Sequence, residues 1–152
     1  MKVTFPRDLA EAPTPPYTGR VASCQMCLCR KEFDGPTVLH RQGEPAESID
    51  VIATGQLAID VATRSGETLR VRRIATHTVV GEMGFFRHSL RSATVSSEGP
   101  AVLFTLTCAN FERMRRERPD LASAFDDFVI RILSDRIDIR DREVAALEPV
   151  AS

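Results

Sequence analysis

The sequence predicts a mainly β domain closed by C-terminal helices, and three observations predict it. Between residues 21 and 107, short runs rich in apolar and β-branched residues recur, each bounded by a turn signal. Past Thr107 the apolar period lengthens from two to three and four. There a first helical stretch, Pro119 and a long amphipathic stripe follow one another. Short strands at this spacing suit an antiparallel sandwich, barrel or roll and not a βαβ fold.

The elements follow in order. Residues 1–20 contain "APTPPYTG", where Pro13, Pro15, Pro16 and Gly19 resist regular structure, so a flexible Pro-rich tail is expected. The strand-like runs are "CLCRKEF", "TVLHRQ", "SIDVIATG", "QLAIDVAT", "LRVRRIAT", "SATVSSEG" and "AVLFTLT". In "QLAIDV", Leu57, Ile59 and Val61 share a face; in "LRVRRI", Leu69 and Val71 face opposite to Arg70 and Arg72. Turns fall at "DGP", "QGEP", "TG", "RSGE" and "EGP". Residues 21–107 therefore form the β core. Residues 108–148 supply the helices of the same domain, with Thr107 or Asn110 as the first cap and Phe111 and Met114 on one face. After Pro119, the residues Leu121, Phe125, Phe128, Val129, Ile132, Leu133 and Ile137 form the stripe. Asp126, Asp127, Arg131, Asp135 and Arg136 lie opposite, and the helix is expected to run towards Pro149. The stripe reads first as core packing; because it is long for a lid over a small β core, dimerisation or docking on another domain is the alternative for its distal half.

Composition narrows the function. The 152 residues are 43% hydrophobic and 27% charged with a net charge of -1, which fits a folded domain and gives no bulk attraction to nucleic acid or an anionic membrane. Arg113, Arg115, Arg116 and Arg118 share a helix with Glu112 and Glu117 and read as a solvated face. With no secretory leader and no apolar run near ~20 residues, a soluble cytoplasmic protein is expected. "CQMCLC" holds Cys24, Cys27 and Cys29, but no second ligand pair accompanies its CxxC, so buried thiols are expected in preference to a metal or redox site. No nucleophile triad, HExxH or P-loop occurs, and His40, His77 and His88 lack a nucleophile context. No enzyme, catalytic residue, metal or resident cofactor is expected.

The stretch "GEMGFFRHSLRSAT", residues 81–94, places Glu82 and Arg91 nine positions apart around a glycine-containing apolar loop. Together with "VLHRQGEPAESIDVIATGQLAIDV", with Gly43 and Gly55 at its turns, and with "LTCANFERMRRERPDLA", it resembles the cyclic nucleotide-binding domain family over about residues 33–140. "VVGEMGFF", "RSATV" and "FVIRILSDRI" are most similar to the cyclic nucleotide-binding-like domains of SulP-type anion transporters. The resemblance implies a β-roll or jelly roll of about eight short strands, a short phosphate-cassette helix, and a helix–Pro–long helix ending.

It also implies a regulatory module that binds cyclic AMP, cyclic GMP or a related anion and signals by moving the C-terminal helices. The ligand is a phosphate monoanion on a ribose with one free hydroxyl. Arg91 suits the phosphate as a forked cation, and Glu82 suits the hydroxyl as an acceptor. Gly81 and Gly84 allow close backbone approach, while Met83, Phe85, Ser92 and Ala93 complete the expected ligand-binding set, with free N–H groups near Gly84 and Phe85. The alternative is a degenerate fold kept for dimerisation or transporter docking, with Glu82 and Arg91 paired to each other. Some positions depart from the family's pattern. Leu90 stands where the family usually has proline, Asp50 where it has an aromatic residue, and Arg87 and His88 add positive character suited to a different anion. One helix fills the stretch after Pro119, which disfavours a helix-turn-helix there.

Overall fold

β-branched and apolar runs of four to seven residues separated by tight turns can bury themselves only by pairing, and they do so in two layers. A computed structural model of the chain describes residues 28–147. The expected tail over residues 1–20, and Cys24 and Cys27, lie outside the described residues. The strands are β1 (Leu28–Phe33), β2 (Thr37–His40), β3 (Ser48–Thr54), β4 (Leu57–Ala62), β5 (Thr68–Ile74), β6 (Val79–Val80), β7 (Thr94–Ser97) and β8 (Ala101–Thr107). One sheet runs β1-β8-β3-β6 and the other β2-β7-β4-β5, every pair antiparallel. The helices are α1 (Glu82–Arg87), α2 (Cys108–Glu117) and α3 (Pro119–Leu147).

The first sheet is buried on both faces, and alternation along β3 and β8 explains how. Ile52 and Leu103 join Leu57, Ile74, Val80, Val95 and Ala101 between the sheets. Ile49, Val51 and Leu106 point the other way and pack on Phe85, Phe111, Leu121, Phe125, Phe128, Val129 and Ile132 of the helices. The helices thus cover the outer face of one sheet and are core in their own right.

Two details depart from the sequence pattern. Leu69 and Val71 are 59% and 47% exposed, because β5 is the edge strand and pairs only with β4. Ile137, the last residue of the expected stripe, is 60% exposed; burial along α3 ends near Ile132 and the partly buried Leu133. The helix boundaries have local causes. The Thr107 side chain accepts the Asn110 amide at 3.1 Å and starts α2. Pro119 opens α3, where its missing N–H costs no helical bond. Among the described residues, no helix is long and apolar enough to cross a membrane.

Candidate ligand-binding site

The 81–94 stretch begins with a residue that only glycine suits. Gly81 has φ +80°, and a Cβ there would collide with the Arg91 guanidinium. The chain then turns directly into α1. The Phe85 amide donates to the Gly81 carbonyl at 3.1 Å and the Ser89 amide to the Gly84 carbonyl at 3.1 Å. The Phe85 N–H is therefore already used, and its ring is core, 5.5 Å from the Phe111 ring. Backbone pairing fixes the returning loop without a proline. Leu90 bridges Pro45, the Arg91 amide donates to the Glu44 carbonyl at 2.8 Å, and the Gly43 amide donates to the Arg91 carbonyl at 2.9 Å.

Gly84 is buried where α1 crosses this turn, and a Cβ there would run into the Ala46 methyl, with the Ser89 carbonyl oxygen 3.3 Å away. Both sides are short and stiff, so Gly84→Ala is expected to destabilise the chain by about 1–3 kcal/mol, whereas alanine in an open helix position normally stabilises. Chemical denaturation measures the sign directly; a stabilised variant would contradict the close crossing.

Arg91 is buried, 7% exposed, and its partners are neutral. Nη1 donates to the Ser48 carbonyl at 2.8 Å and the Gly81 carbonyl at 3.4 Å, and Nη2 donates to Ser48 Oγ at 3.0 Å. Burial draws the guanidinium's pKa below its ordinary value, opposed chiefly by the more distant charge of Asp50. Arginine nonetheless stays ionised. Among the described residues no carboxylate bonds to it, so the expected alternative of a Glu82–Arg91 pair is not formed.

Glu82 pairs instead with the long helix. Arg136 Nη1 donates to Glu82 Oε1 at 2.7 Å, while Nη2 donates to Thr78 Oγ1 at 2.7 Å and to the Val79 carbonyl. Both side chains are mostly buried, at 19% and 14% exposure. One arginine thus ties α3 to β6 and to the first residue of α1.

A third group lies deeper. His40 Nε2 is 2.6 Å from Asp50 Oδ2, and the Thr105 hydroxyl donates to Asp50 Oδ1. Burial pushes the Asp50 carboxyl up, but His40 by hydrogen bond and charge, the Thr105 hydroxyl and the charge of Lys31 together hold it below the usual carboxylate range. An ionised Asp50 can only accept, so Nε2 carries the proton of the His40 ring.

These groups frame a cavity of about 50 Å³ lined by Gly81, Glu82, Met83, Gly84, Arg91, Ser92 and Ala93, with His40 and Val95 as its floor. Of the residues expected from sequence, Phe85 alone is not on its wall. His40 and Val95 were not expected there, nor were Ser48 and Arg136, which lie behind the wall as hydrogen-bond partners of Arg91 and Glu82. His40 and Asp50 carried a signal, since each is a lone ionisable residue in an otherwise strand-like run. A second cavity of about 440 Å³ opens between β5 and α3, with Arg136 in its wall. Among the described residues no cluster of His, Cys, Asp or Glu suits a metal ion, and Cys29 and Cys108 are free thiols.

Two antiparallel sheets, a short helix between β6 and β7, and two helices on one sheet define a β-roll with a cassette at its edge. Residues 30–118 match the family model for the cyclic nucleotide-binding domain, and the chain belongs to that family. The fold is also that of solved structures. A cyclic nucleotide-binding domain from Methylobacillus flagellatus aligns with a TM-score of 0.72 at 16% identity, covering 82% of this chain and 71% of that one. The c-di-GMP-responsive global regulator CLP of Xanthomonas campestris aligns with a TM-score of 0.68 at 20% identity, over 82% of this chain and 61% of its own. The regulatory domain of Toxoplasma gondii PKA, solved with cAMP, aligns with a TM-score of 0.54 at 24% identity, over 57% of this chain and 33% of its own. At these identities the likeness is one of fold. The chain spans less than two thirds of the length of the latter two. No curated protein sequence matches it.

Proposed function

We propose that the chain is a non-enzymatic sensor module that binds a phosphorylated ribose ligand at the cassette, a cyclic nucleotide such as cyclic AMP or cyclic GMP or a related anion, and reports it through α2 and α3. One observation carries this reading: Arg91 is a buried guanidinium on a cavity wall whose hydrogen-bond partners are all neutral. A phosphate entering the cavity would be its first anionic hydrogen-bond partner, in surroundings where such a bond is stronger than in water. The volume of about 50 Å³ is of the order of a phosphate group, so a whole nucleotide would project out of this cavity.

Glu82 has one oxygen engaged by Arg136 and a second to offer a ribose hydroxyl. A ligand that engages Glu82 therefore acts on the ion pair that anchors α3. It shifts the helix only as far as its affinity differs between two helix positions. The regulator from Xanthomonas and the kinase subunit from Toxoplasma, described as responsive to c-di-GMP and bound to cAMP, support ligand sensing as the role of this fold.

Calorimetric titration with cyclic AMP and cyclic GMP tests the reading. Arg91→Ala is expected to weaken binding about ten- to a hundredfold while the chain stays folded, the loss of charge-assisted hydrogen bonds. No binding by the unaltered chain at millimolar ligand, with Arg91→Ala lowering only the melting temperature, would favour the other reading, an interaction module in the cytoplasm. That reading has its own support. Ile130, Ile137 and Val144 recur at seven-residue spacing on α3 and are 59%, 60% and 62% exposed, a seam suited to a second copy or a partner domain such as a transporter's.

A further inference from the structure

The larger cavity has a chemistry that the cassette does not explain. It lies between the end of β5 and the following turn on one side and the middle of α3 on the other, and its about 440 Å³ is the size of a small-molecule site. Four of its lining residues are arginines, Arg72, Arg73, Arg136 and Arg140, against a single acid, Glu143. Two of the four are neutralised, Arg73 by Glu98 at 3.0 Å and Arg136 by Glu82 at 2.7 Å. Arg72 and Arg140 have no ion pair among the described residues. They face each other across the cavity, one from the strand and one from the helix.

Arg72 is partly buried, and burial with the nearby charges of Arg140 and Arg136 draws its pKa below the ordinary value, against the opposing charges of Glu82 and Glu143. Both carboxylates lie near enough to oppose the shift, but neither forms an ion pair with Arg72 or Arg140 among the described residues. The Thr76 and Thr78 side chains add hydroxyls to the wall. A neutral heterocycle would leave the cations without a partner in a confined space, whereas a phosphate or pyrophosphate group satisfies both through charge-assisted forked bonds.

The geometry points to the β5–α3 cavity as a binding site for a second anionic group, held by Arg72 and Arg140, on a small phosphate-bearing molecule. The inference rests on the sensor reading for the identity of the natural ligand, one that carries negative charge at both ends, but the site itself is separate from Arg91. The distinction matters for signalling. An anion in this cavity lies beside Arg136 and draws it away from Glu82, so occupying this cavity and freeing the Glu82 carboxylate are coupled.

The test uses the full chain and inorganic pyrophosphate as probe, with cyclic AMP titrated in parallel into the unaltered chain. In an Arg91→Ala background, which removes the cassette's phosphate anchor, pyrophosphate is expected to bind, to weaken about tenfold or more when R72Q/R140Q is added and measurably with R140Q alone, and to bind within twofold with the exposed α3 control R131Q. Arg140 is on the exposed side of the cavity wall, so R140Q keeps the test valid if the double variant folds poorly. Three results in that background would overturn the site: no pyrophosphate binding at millimolar concentration, equal binding with R72Q/R140Q added, or equal weakening by R131Q. An acidic peptide that binds through Arg72 and Arg140 while pyrophosphate does not would also overturn it, in favour of a protein partner. If pyrophosphate behaves as expected but cyclic AMP does not bind, the cassette reading fails and the anion site stands.

Discussion

Asp50→Ala is expected to cost about 2–6 kcal/mol of folding stability, since it leaves two buried hydrogen-bonding groups unsatisfied at about 1–3 kcal/mol each. Asp50 is 1% exposed and faces the space between the sheets with Ile52 and Leu103. Its loss would leave His40 Nε2 and the Thr105 hydroxyl, both on buried residues, without their acceptor. Asp50→Asn keeps one acceptor for the imidazole and should cost clearly less. The same group predicts an acid limb. Its carboxyl pKa is lower in the folded chain, so its stabilisation is present above the unfolded value near ~3.9 and is lost as pH falls through the folded value. Urea unfolding of Asp50→Asn should therefore lose less stability than the unaltered chain on going from neutral pH to below about pH 4. A cost below about 1 kcal/mol for Asp50→Ala would mean that water or a neighbouring group replaces the carboxylate.

Asp50 also marks the limit of what could be read before the structure. The period-two runs located β3, β4, β7 and β8 because both or one of their faces are apolar, and local alternation is a property of sequence alone. β6 gave no such run, since Val79 and Val80 make only a two-residue strand whose pairing to β3 is non-local. The cassette was legible because its glycines stand out in sequence: Gly81 is required by its dihedral, a local property, while the contact that requires Gly84 comes from Ala46, 38 positions away. What was not legible is who pairs with whom. Glu82 and Arg91, nine residues apart, invited the thought of a mutual pair. The partners are Arg136, 54 positions on, and Ser48, 43 positions back. Those distances in sequence are closed only by the packing of α3 and of β3, which no local pattern encodes. Phe85 was misjudged for a similar reason, because a short helix shows one face to a ligand and one to the core, and six residues are too few to assign which.

Phe111→Ala is expected to cost about 3–5 kcal/mol and, beyond that, to disconnect the cassette helix from the C-terminal helices. Phe111 is 3% exposed and its ring lies 5.5 Å from Phe85 and 6.2 Å from Phe86 on α1, and 5.6 Å from Phe125 on α3. The Arg115 guanidinium sits 4.5 Å above it. Phe125 continues the row to Phe128, with 6.3 Å between centroids. The row matters because Phe85 and Phe125 make no ring contact with each other, so Phe111 is the aromatic link between the helix that begins at Glu82 and the helix that carries Arg136. The two routes from cassette to α3, the partly buried Glu82–Arg136 ion pair and the aromatic row in the core, are then physically separate. A double-mutant cycle with Phe85→Leu and Phe125→Leu separates mere loss of volume from loss of coupling. The pair should show an interaction of about 0.5 kcal/mol or more in the unaltered chain and none in the Phe111→Ala background. Hydrogen exchange gives the second reading, with amides of α1 and of the first turns of α3 losing protection together in Phe111→Ala while those of β4 and β7 keep theirs. Additive single changes in the unaltered chain would assign signalling to the Glu82–Arg136 pair alone.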